Sequence, residues 1–572
     1  MSFEYRAKYE LWCRMADDET KAELLSIRED DNEIKERFYK DLSFGTAGLR
    51  GIIGAGTDRM NMYTVCRATQ GLADYVLQKG PEAAGRGVAI SYDCRHFSKE
   101  FAWAAASVLA GNGIHVYIYN EMEPTPALSF ALRHVGAVSG IMITASHNPA
   151  KYNGYKVYGE DGAQLGVAES ALVLAAIQKT DMFTGVRRMD ASLAIREGLI
   201  TVMDEAVLSA YSDAVCACLK NPALAKAEGA DLKIVYTPFH GTGFKPVMRA
   251  LKTCGFTSVY PVEAQTVPDP NFSTVRSPNP EEPDGFLMAT DLANEKDADI
   301  IIGTDPDSDR IGVLCKQNGE YTILNGNQTG ILLLDYILSQ EKNLTKDDYV
   351  VSTIVSSNMV SRMADFYGVS SYRVYTGFRF IASIIKHHED ESLAGRYLFG
   401  FEESYGYLPG TYARDKDAVS AALLIAEAAL YYKKQGKTLL DQLDFLWQTH
   451  GYFIERTDSV YMEGLDGLEK MQALLAKTAQ NPFKTIGSMN VRAFYNYQEG
   501  YKLDFESGEK TALSFEPSNV LYFELPENGF FILRPSGTEP KIKLYFSVRG
   551  NSQADAQNKL SELSAAVTEL LS

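Results

Sequence analysis

Residues 138–149 read VSGIMITASHNP, an apolar run followed at once by small and polar residues. The run Val138–Thr144 is short and apolar and ends at turn residues, which predicts a buried strand. Small residues after such a strand expose the hydroxyl of Ser146 at the carboxyl edge of the sheet, where open α/β folds bind ligands. His147 and Lys156 are both available to activate it as a nucleophile. Taken alone, the same stretch is also compatible with a Ser/Asn/Pro turn that has no catalytic role.

Strands and helices alternate around this stretch. Gly87–Tyr92 and Ile114–Tyr119 read as strands, and helices are predicted in Phe101–Ala110 and Pro126–His134. The alternation is then repeated twice, with predicted strands at Leu232–Thr237, Ala298–Gly303, Tyr349–Val355 and Tyr397–Phe401, and predicted helices at Val247–Thr253, Met359–Tyr367 and Ala418–Tyr432. This rhythm is typical of α/β architecture.

The pattern changes after about residue 450. Val520–Glu524 and Phe530–Leu533 read as strands separated by an Asn-Gly turn, followed by a strand at Lys541–Val548 and a helix at Ala554–Leu571. We therefore predict an α/β protein with three similar α/β domains, built on mixed sheets, and a smaller C-terminal α+β domain. The predicted domains are residues 1–205, 206–320, 321–455 and 456–572.

Length and composition limit the class of protein. A chain of 572 residues is too long for a single core, and 45% hydrophobic with 23% charged residues is ordinary for a soluble globular protein. No apolar run is long enough to span a bilayer, the N-terminus does not resemble a signal peptide, and seven scattered cysteines indicate a reducing compartment. The net charge of −18 disfavours nucleic acid or an anionic membrane as a partner but allows a small anionic substrate. We expect a cytoplasmic protein that is a monomer or a weak homo-oligomer.

An acidic loop follows the predicted strand at Ala298–Gly303. Asp305, Asp307 and Asp309 alternate in DPDSDR, so their carboxylates can converge on one hard cation such as Mg²⁺, which would also relieve their repulsion. An EF-hand is excluded, because Arg310 stands where that loop needs Gly. A phosphatase of the haloacid dehalogenase type is disfavoured, because it normally has Thr or Val at the position of Asp309. That interpretation stays open, and a solvated acidic turn is a further alternative.

Two further stretches contain groups suited to binding phosphate. Residues 534–541 read RPSGTEPK, which combines a guanidinium, two hydroxyls and the amide of a Gly turn. Residues 45–51 read GTAGLRG, in which glycines allow close approach of an anion and Arg50 supplies charge. Each of these is also compatible with a simple turn.

The third α/β region contains candidate sugar-binding groups. Thr376 and Gly377 lie in YTGF, Glu402 and Ser404 lie in FEESYG, and Lys416 precedes a long predicted helix. Paired acids with a serine at a strand end suit hydrogen bonds to sugar hydroxyls, and a lysine there can reach a phosphate. Surface acids and a solvated lysine at a helix end are the alternatives.

Together these stretches resemble the α-D-phosphohexomutase family. TASHNP resembles its phosphoserine loop, DPDSDR its metal loop, FEES its sugar-binding loop and RPSGTEPK its C-terminal phosphate loop, and they occur in the family's order. The resemblance implies four domains around a central cleft that the last domain closes. The sequence departs from common patterns at Pro306 and Ser308, where glycines are frequent, but the three acidic ligands are kept.

The resemblance implies a role for each matching residue. Ser146 would carry the phosphoryl group. Arg50 and His147 would support the phosphoserine, and Lys156 would be a general-base candidate beside His147. The implied ligands of Mg²⁺ are Ser146, Asp305, Asp307 and Asp309. The implied substrate-binding residues are Arg310, Thr376, Gly377, Glu402, Ser404, Lys416, Arg534, Ser536, Gly537 and Thr538.

The implied activity is transfer of a phosphoryl group within a hexose phosphate. Glucose 1-phosphate and glucose 6-phosphate would be interconverted through glucose 1,6-bisphosphate, which would also act as an activator. The sugar loop reads EESYG rather than the EMSGH of many bacterial phosphomannomutases, which favours glucose over mannose. YTGF and GTYARDKDA also resemble the branch that contains phosphopentomutases and glucose-1,6-bisphosphate synthases. A phosphatase and a catalytically silent sugar-phosphate sensor are further alternatives.

Overall fold

The computed structural model describes residues 4–45, 48–461, 467–535 and 541–571. The described backbone divides into two compact units. The first unit comprises the described residues of 1–343, 347–351 and 377–439, and the second those of 344–346, 352–376 and 440–572.

Three short helices begin the first unit. They are α1 (Glu4–Met15), α2 (Asp18–Ser26) and α3 (Asp31–Phe38). Trp12 packs edge-on against Phe38, Tyr63 and Phe183, so these helices have an aromatic core of their own. No helix was predicted here from the sequence.

A six-stranded mixed sheet follows. Its strands are β1 (Leu49–Ile52), β2 (Val88–Tyr92), β3 (Val116–Tyr119), β4 (Ser139–Ile143), β5 (Tyr152–Gly159) and β6 (Ile200–Met203). Its helices are α4 (Met62–Gln78), α5 (Pro81–Arg86), α6 (Ser98–Gly111), α7 (Thr125–Val135), α8 (Val167–Lys179) and α9 (Ala191–Arg196). The strand order is β1-β5-β4-β2-β3-β6, in which β4, β2, β3 and β6 are parallel and β1 and β5 form an antiparallel edge.

A second mixed sheet has five strands in the order β11-β10-β9-β7-β8. They are β7 (Ile234–Thr237), β8 (Val259–Pro261), β9 (Ile300–Thr304), β10 (Ile311–Gln317) and β11 (Glu320–Leu324). The accompanying helices are α10 (Glu205–Cys216), α11 (Pro222–Glu228), α12 (Phe244–Thr253), α13 (Glu263–Thr266) and α14 (Leu287–Lys296), with 3-10 helices at Gly229–Asp231 and Pro283–Phe286. Strands β9 and β10 form an antiparallel hairpin, in which Thr304 lies opposite Ile311.

The chain passes between the two units in its third region. The elements are α15 (Gly326–Gln340), β12 (Tyr349–Thr353), α16 (Met359–Tyr367), β13 (Ser370–Val374), α17 (Phe378–Asp390), β14 (Tyr397–Glu402), β15 (Gly406–Leu408), α18 (Ala418–Lys433) and α19 (Leu439–His450). Within the first unit, β14 and β15 form an antiparallel hairpin in which Glu402 lies opposite Gly406. Helix α18 is buried along most of its length.

The rest of the second unit is built on a seven-stranded antiparallel sheet with the order β16-β24-β23-β22-β19-β20-β21. Its strands are β16 (Tyr452–Tyr461), β19 (Ala493–Asn496), β20 (Tyr501–Asp504), β21 (Lys510–Ala512), β22 (Leu521–Glu524), β23 (Phe530–Pro535) and β24 (Lys541–Gly550). The other elements are α20 (Gly467–Gln480), the small hairpin of β17 (Thr485–Ile486) and β18 (Met489–Asn490), a 3-10 helix at Pro526–Asn528, and α21 (Gln553–Leu571).

The predicted fold class is confirmed. Three α/β regions precede an α+β region, and the strands predicted around Ser146 and before the acidic loop are β4 and β9. The division into two compact units does not test the four predicted domain boundaries, which stay predictions. Among the helices of the described ranges, none has both the length and the apolar character that a membrane crossing needs.

Candidate active site

The loop after β4 presents Ser146. Its backbone has a φ of 51°, in the left-handed region, and its amide donates a hydrogen bond to Oγ1 of Thr144 (2.8 Å). The side chain is only 3% exposed. The turn therefore holds the hydroxyl at the carboxyl end of the sheet, as the sequence predicted, although little of it is open to bulk water.

Arg95 holds this loop in place. Its Nη2 donates to the carbonyl oxygens of Ser146 and Asn148, both at 2.5 Å, and its Nη1 donates to those of Pro149 (3.0 Å) and Tyr152 (3.1 Å). The guanidinium also lies 3.2 Å from the carboxylate of Asp93, and both side chains are buried. A planar group with five donors is well suited to fixing several carbonyls at once. We did not identify Arg95 from the sequence.

The acidic loop lies between β9 and β10. Oδ1 of Asp305 accepts hydrogen bonds from the amides of Asp309 (3.1 Å) and Arg310 (3.0 Å). Thr242, from the turn after β7, donates from Oγ1 to the carbonyl of Pro306 (3.0 Å). Ser308 has a φ of 52°, a conformation in which glycine is commoner, so the missing glycine has not prevented the tight turn.

The three aspartates of this loop could hold a metal ion. Asp305, Asp307 and Asp309 are buried, and one oxygen from each lies within 4.8 Å of the others. Oδ1 of Asp307 and Oδ1 of Asp309 have no hydrogen-bond partner among the described residues. Burial, together with the charges of Asp307 and Asp309, raises the pKa of Asp305 well above its usual value. Oxygen ligands with this much unrelieved negative charge fit a hard divalent cation.

Ser146 meets the acidic loop directly. Its Oγ donates to Oδ2 of Asp305 at 2.8 Å and lies 3.2 Å from Nδ1 of His147. Burial and the nearby cations Arg310 and Arg50 hold the pKa of His147 well below its usual value, so the imidazole is neutral and can accept a proton. The hydroxyl therefore has two acceptors within reach.

Two lysines neutralise part of the acidic cluster. Nζ of Lys156, on β5, lies 2.7 Å from Oδ2 of Asp307 and 3.4 Å from Oδ2 of Asp309. Nζ of Lys416, just before α18, lies 3.2 Å from Oδ2 of Asp309 and 2.9 Å from Oδ1 of Asp415. Burial lowers the pKa of each lysine, but the neighbouring carboxylates outweigh it and both pKa values are raised. Both side chains are therefore ammonium ions at neutral pH.

The predicted sugar loop joins the same cluster. Oε1 of Glu402, at the end of β14, lies 3.9 Å from Nζ of Lys416. A Cβ at Gly406 would lie 2.1 Å from Cδ of Lys416, so a glycine is needed for this approach. Ser404 donates to Oε1 of Glu403 at 3.2 Å. Burial raises the pKa of Glu402, and Lys416 partly offsets this effect.

Two predicted arginines flank the loops. Arg50, on β1, donates from Nη1 to Oδ1 of Asn148 at 3.2 Å, so it contacts the serine loop. Arg310 donates from Nη1 to Oε1 of Glu281 at 3.1 Å, and its Nε lies 3.7 Å from Oδ1 of Asp309. Both therefore border the acidic and serine loops.

The remaining predicted residues divide into three groups. Gly377 belongs to the first unit, where its φ of 112° turns the chain into α17. Thr376 and Arg534 belong to the second unit, and Arg534 lies in β23 opposite Lys543 of β24. Ser536, Gly537 and Thr538 lie outside the described residues. The phosphate-binding role of RPSGTEPK therefore stays a prediction.

Thr125 is a second residue of the site that the sequence analysis missed. At the start of α7, it donates from its amide to the carbonyl of Asp307 (2.9 Å) and from Oγ1 to Oδ2 of the same residue (2.8 Å). It follows β3, as Asp93 and Arg95 follow β2. One sequence feature could have identified Arg95 and Thr125: both are polar residues that follow a predicted strand. The structure shows that these two strands are parallel, and the carboxyl ends of parallel strands meet at one edge of a sheet.

Comparisons with known proteins agree with this geometry. Models of four phosphoglucomutase/phosphomannomutase domains match the chain: α/β/α domain I at residues 41–183, domain II at 209–319, domain III at 325–450 and the C-terminal domain at 506–560. A protein named phosphoglucomutase from Staphylococcus aureus (strain bovine RF122 / ET3-1) is 38% identical over 560 residues, covering 97% of this chain and 98% of its own. The protein of the same name from strain USA300 is 38% identical over 558 residues, with the same coverage of both chains.

Solved structures with the same fold include two with low sequence identity. The open form of the Paramecium phosphoprotein parafusin, a phosphoglucomutase, has a TM-score of 0.69 at 17% identity and covers 93% of this chain and 96% of its own. A phosphoglucomutase/phosphomannomutase family protein from Burkholderia thailandensis has a TM-score of 0.65 at 18% identity and covers 92% of this chain and 97% of its own. At these identities the likeness shows the fold alone.

Proposed function

Because the chain belongs to the phosphoglucomutase/phosphomannomutase family, we propose that it interconverts glucose 1-phosphate and glucose 6-phosphate through a phosphorylated Ser146. The observation that carries the proposal is the buried contact of 2.8 Å between Oγ of Ser146 and Asp305, beside two further aspartates and two lysines. A serine with neighbouring acceptors and an acidic cluster suits phosphoryl transfer, whereas a binding protein needs no nucleophile. The full-length relatives named phosphoglucomutase favour glucose as the sugar.

The proposed reaction has two halves. In the first, the phosphoryl group passes from Oγ of phospho-Ser146 to the free hydroxyl of the hexose monophosphate. That hydroxyl loses its proton and Oγ gains one, which gives the free serine and glucose 1,6-bisphosphate. In the second, the bisphosphate has turned round, and Oγ loses its proton and attacks the other phosphoryl group. The sugar oxygen that is released takes up a proton, which gives the isomeric monophosphate. Added glucose 1,6-bisphosphate would act as an activator because it can phosphorylate Ser146 by the second half-reaction.

The acidic loop would bind Mg²⁺ through Asp305, Asp307 and Asp309, with an oxygen of Ser146 or its phosphate completing the ligands. When bound, this cation would offset negative charge on the transferring phosphoryl group. Arg50 would add positive charge at the same group. Because the site is buried, water is kept from the phosphoserine and hydrolysis is suppressed.

We propose that His147 is the base that accepts the hydroxyl proton of Ser146. Oδ2 of Asp305 is the nearer acceptor of this proton, but that carboxylate would be engaged by a bound metal ion. The neutral Nδ1 of His147 is then the acceptor that stays available. Lys156 is an ammonium ion paired with Asp307 and is therefore proposed as a charge partner of the phosphoryl group. This role differs from the general base that the family resemblance implies for Lys156.

The substrate test is direct. Purified protein with Mg²⁺ and a trace of glucose 1,6-bisphosphate is given glucose 1-phosphate, mannose 1-phosphate or ribose 1-phosphate, and both isomerised product and inorganic phosphate are measured. We expect glucose 6-phosphate to form fastest, with little inorganic phosphate. Preference for ribose 1-phosphate would contradict the sugar, net release of phosphate would indicate a phosphatase, and no turnover of any substrate would indicate a sensor.

Replacing Arg95 by lysine is expected to lower kcat by about 10-fold to 100-fold with little change in KM. A lysine cannot donate to four carbonyls from one plane, so the serine loop loses its fixed geometry while the residues proposed to bind sugar are untouched. Steady-state kinetics with glucose 1-phosphate check this. Arg86→Lys is the matched control, because Arg86 also donates to a carbonyl, that of Gly136, but on the exposed surface. Equal loss in both variants would contradict a positioning role for Arg95.

Replacing His147 by glutamine is expected to slow phosphorylation of Ser146 by glucose 1,6-bisphosphate about 100-fold, which is typical for loss of a general base. The measurement is single-turnover formation of phosphoserine from the dephosphorylated protein. His134→Gln, at the far end of α7, is the control and should react at the normal rate. A normal rate in the His147 variant would assign the proton to another acceptor, such as Asp305.

A further inference from the structure

A partly open cavity lies beside the residues that support the serine loop and the acidic loop. Its volume is about 460 Å³, within the range of small-molecule sites. Residues 92–95, which follow β2, form one wall, and residues 120–123, which follow β3, form a second. The turn that holds Thr242 forms a third. All of these residues belong to the first unit.

One buried acid in this cavity has no partner. Glu123 is 7% exposed and lines both this cavity and a smaller neighbouring one of about 130 Å³. Its carboxylate accepts no hydrogen bond and forms no ion pair among the described residues. A buried carboxylate without a donor is costly, and burial raises the pKa of Glu123 to about 8, although Lys245 partly offsets this.

The other charges of the cavity are already matched. Arg95 is paired with Asp93, and Lys245 is paired with Glu121. In the smaller cavity, Arg249 lies 2.5 Å from Glu205. Lys99 and Glu100 are adjacent and exposed at the rim. Glu123 is therefore the one buried acid of the wall that has no contacting cation in the described part of the chain.

The rest of the lining favours an apolar ligand body. Tyr92, Met122, Phe244 and Pro268 supply aromatic and aliphatic carbon around the carboxylate. Pockets of this kind bind molecules that combine an apolar body with one oriented polar group. The complement of an unpaired carboxylate in such a wall is a cationic nitrogen.

We propose that this cavity is a binding site for a small organic cation, an amine or amidine on an apolar body, with its nitrogen on Glu123. The site is separate from the residues proposed to bind the sugar phosphate. A ligand there would contact the Arg95 segment, which holds the serine loop, and the Thr242 turn, which holds the acidic loop. The inference does not depend on the proposed function, because its test measures binding.

Benzamidine and benzamide are suitable probes, since they have nearly the same shape and differ in charge. Binding to the full chain is measured at pH 9, where Glu123 is ionised, by NMR of ¹³C-labelled methionine methyl groups, with the Met122 signal assigned by its loss in Met122→Leu. We expect benzamidine to shift the Met122 signal and to bind at least about 10-fold more tightly than benzamide, because a charged hydrogen bond is gained. In Glu123→Gln, benzamidine affinity should fall about 10-fold to 100-fold, while benzamide affinity changes less than about twofold.

Glu100→Gln is the matched control, because it removes an acid at the rim of the same cavity and should leave both affinities unchanged. The comparison of the two probes on the unaltered protein keeps the test valid even if Glu123→Gln folds poorly. Equal affinity for benzamidine and benzamide, an unmoved Met122 signal, or full benzamidine affinity in Glu123→Gln would each overturn the proposal.

Discussion

Replacing Ser146 by alanine is expected to reduce the conversion of glucose 1-phosphate to glucose 6-phosphate by at least about 10⁴-fold. Alanine removes the oxygen that is proposed to carry the phosphoryl group, so neither proposed half-reaction could proceed. The other charged groups of the site remain, and the affinity for glucose 1-phosphate should therefore change little. A coupled assay of glucose 6-phosphate measures the loss of turnover, and titration calorimetry measures the retained binding.

Ser139→Ala is the matched control for this loss. Ser139 is buried at the start of the same strand, β4, and donates from Oγ to the carbonyl of Tyr158 at 2.7 Å. Its replacement should cost some stability but leave turnover within a few-fold of normal. Mass spectrometry after incubation with glucose 1,6-bisphosphate should find one added phosphoryl group on the control and none on Ser146→Ala. Turnover above about one per cent of normal in Ser146→Ala would contradict a phosphoserine mechanism.

Replacing Asp305 by asparagine is expected to have opposite effects on stability and activity. Asparagine keeps the oxygen that accepts the amides of Asp309 and Arg310, but it removes a buried charge that Asp307 and Asp309 repel. The metal-free variant should therefore unfold at a higher temperature than the metal-free normal protein. Because a proposed metal ligand is lost, saturating Mg²⁺ should stabilise the variant little, and kcat should fall about 10³-fold.

Thermal unfolding with chelator and with excess Mg²⁺, followed by kinetics, measures these effects. Asp335→Asn is the control, because Asp335 is also buried but lies in α15, where it accepts a hydrogen bond from Tyr432. That variant should lose stability equally with and without Mg²⁺ and keep its activity. A normal increase in unfolding temperature with Mg²⁺ in Asp305→Asn would contradict the assigned metal site.

The strands that precede the serine loop and the acidic loop could be predicted from the sequence. VSGIMIT and ADIIIG are short apolar runs that end in polar residues, and they form β4 and β9 within one or two residues of the predicted bounds. Each strand is buried along its whole length, so a local pattern was enough to identify it. The contact between Ser146 and Asp305 follows from the packing of two sheets. No local pattern encodes that packing, so the family resemblance was needed to bring the loops together.

Other parts of the structure could not be predicted from the sequence, for reasons that the structure makes clear. Lys156 was identified, but its strand, β5, was not, because YNGYKVYG is interrupted by glycine and polar residues and lacks an apolar run. The functions of Arg95 and Thr125 depend on carbonyls and carboxylates from distant segments, which a single sequence does not display. The N-terminal helices were missed although Asp17 and Asp30 cap α2 and α3, because their apolar residues are few and irregular.

The pairing of Lys416 with Asp309 also sets an order of events during synthesis of the chain. Lys416 leaves the ribosome roughly a hundred residues after Asp309, which corresponds to about 5–20 s at ordinary elongation rates. The amide of Ala418 also donates to the carbonyl of Ser308 at 3.1 Å. The backbone of the acidic loop therefore gains this hydrogen bond only after the segment that contains Lys416 and Ala418 has been synthesised. During that interval Lys156 is, among the described residues, the one lysine already made that contacts these aspartates in the finished structure. Ser146 is thus translated early, but the acidic loop that it contacts acquires its last supporting contacts only when the third α/β region has been made.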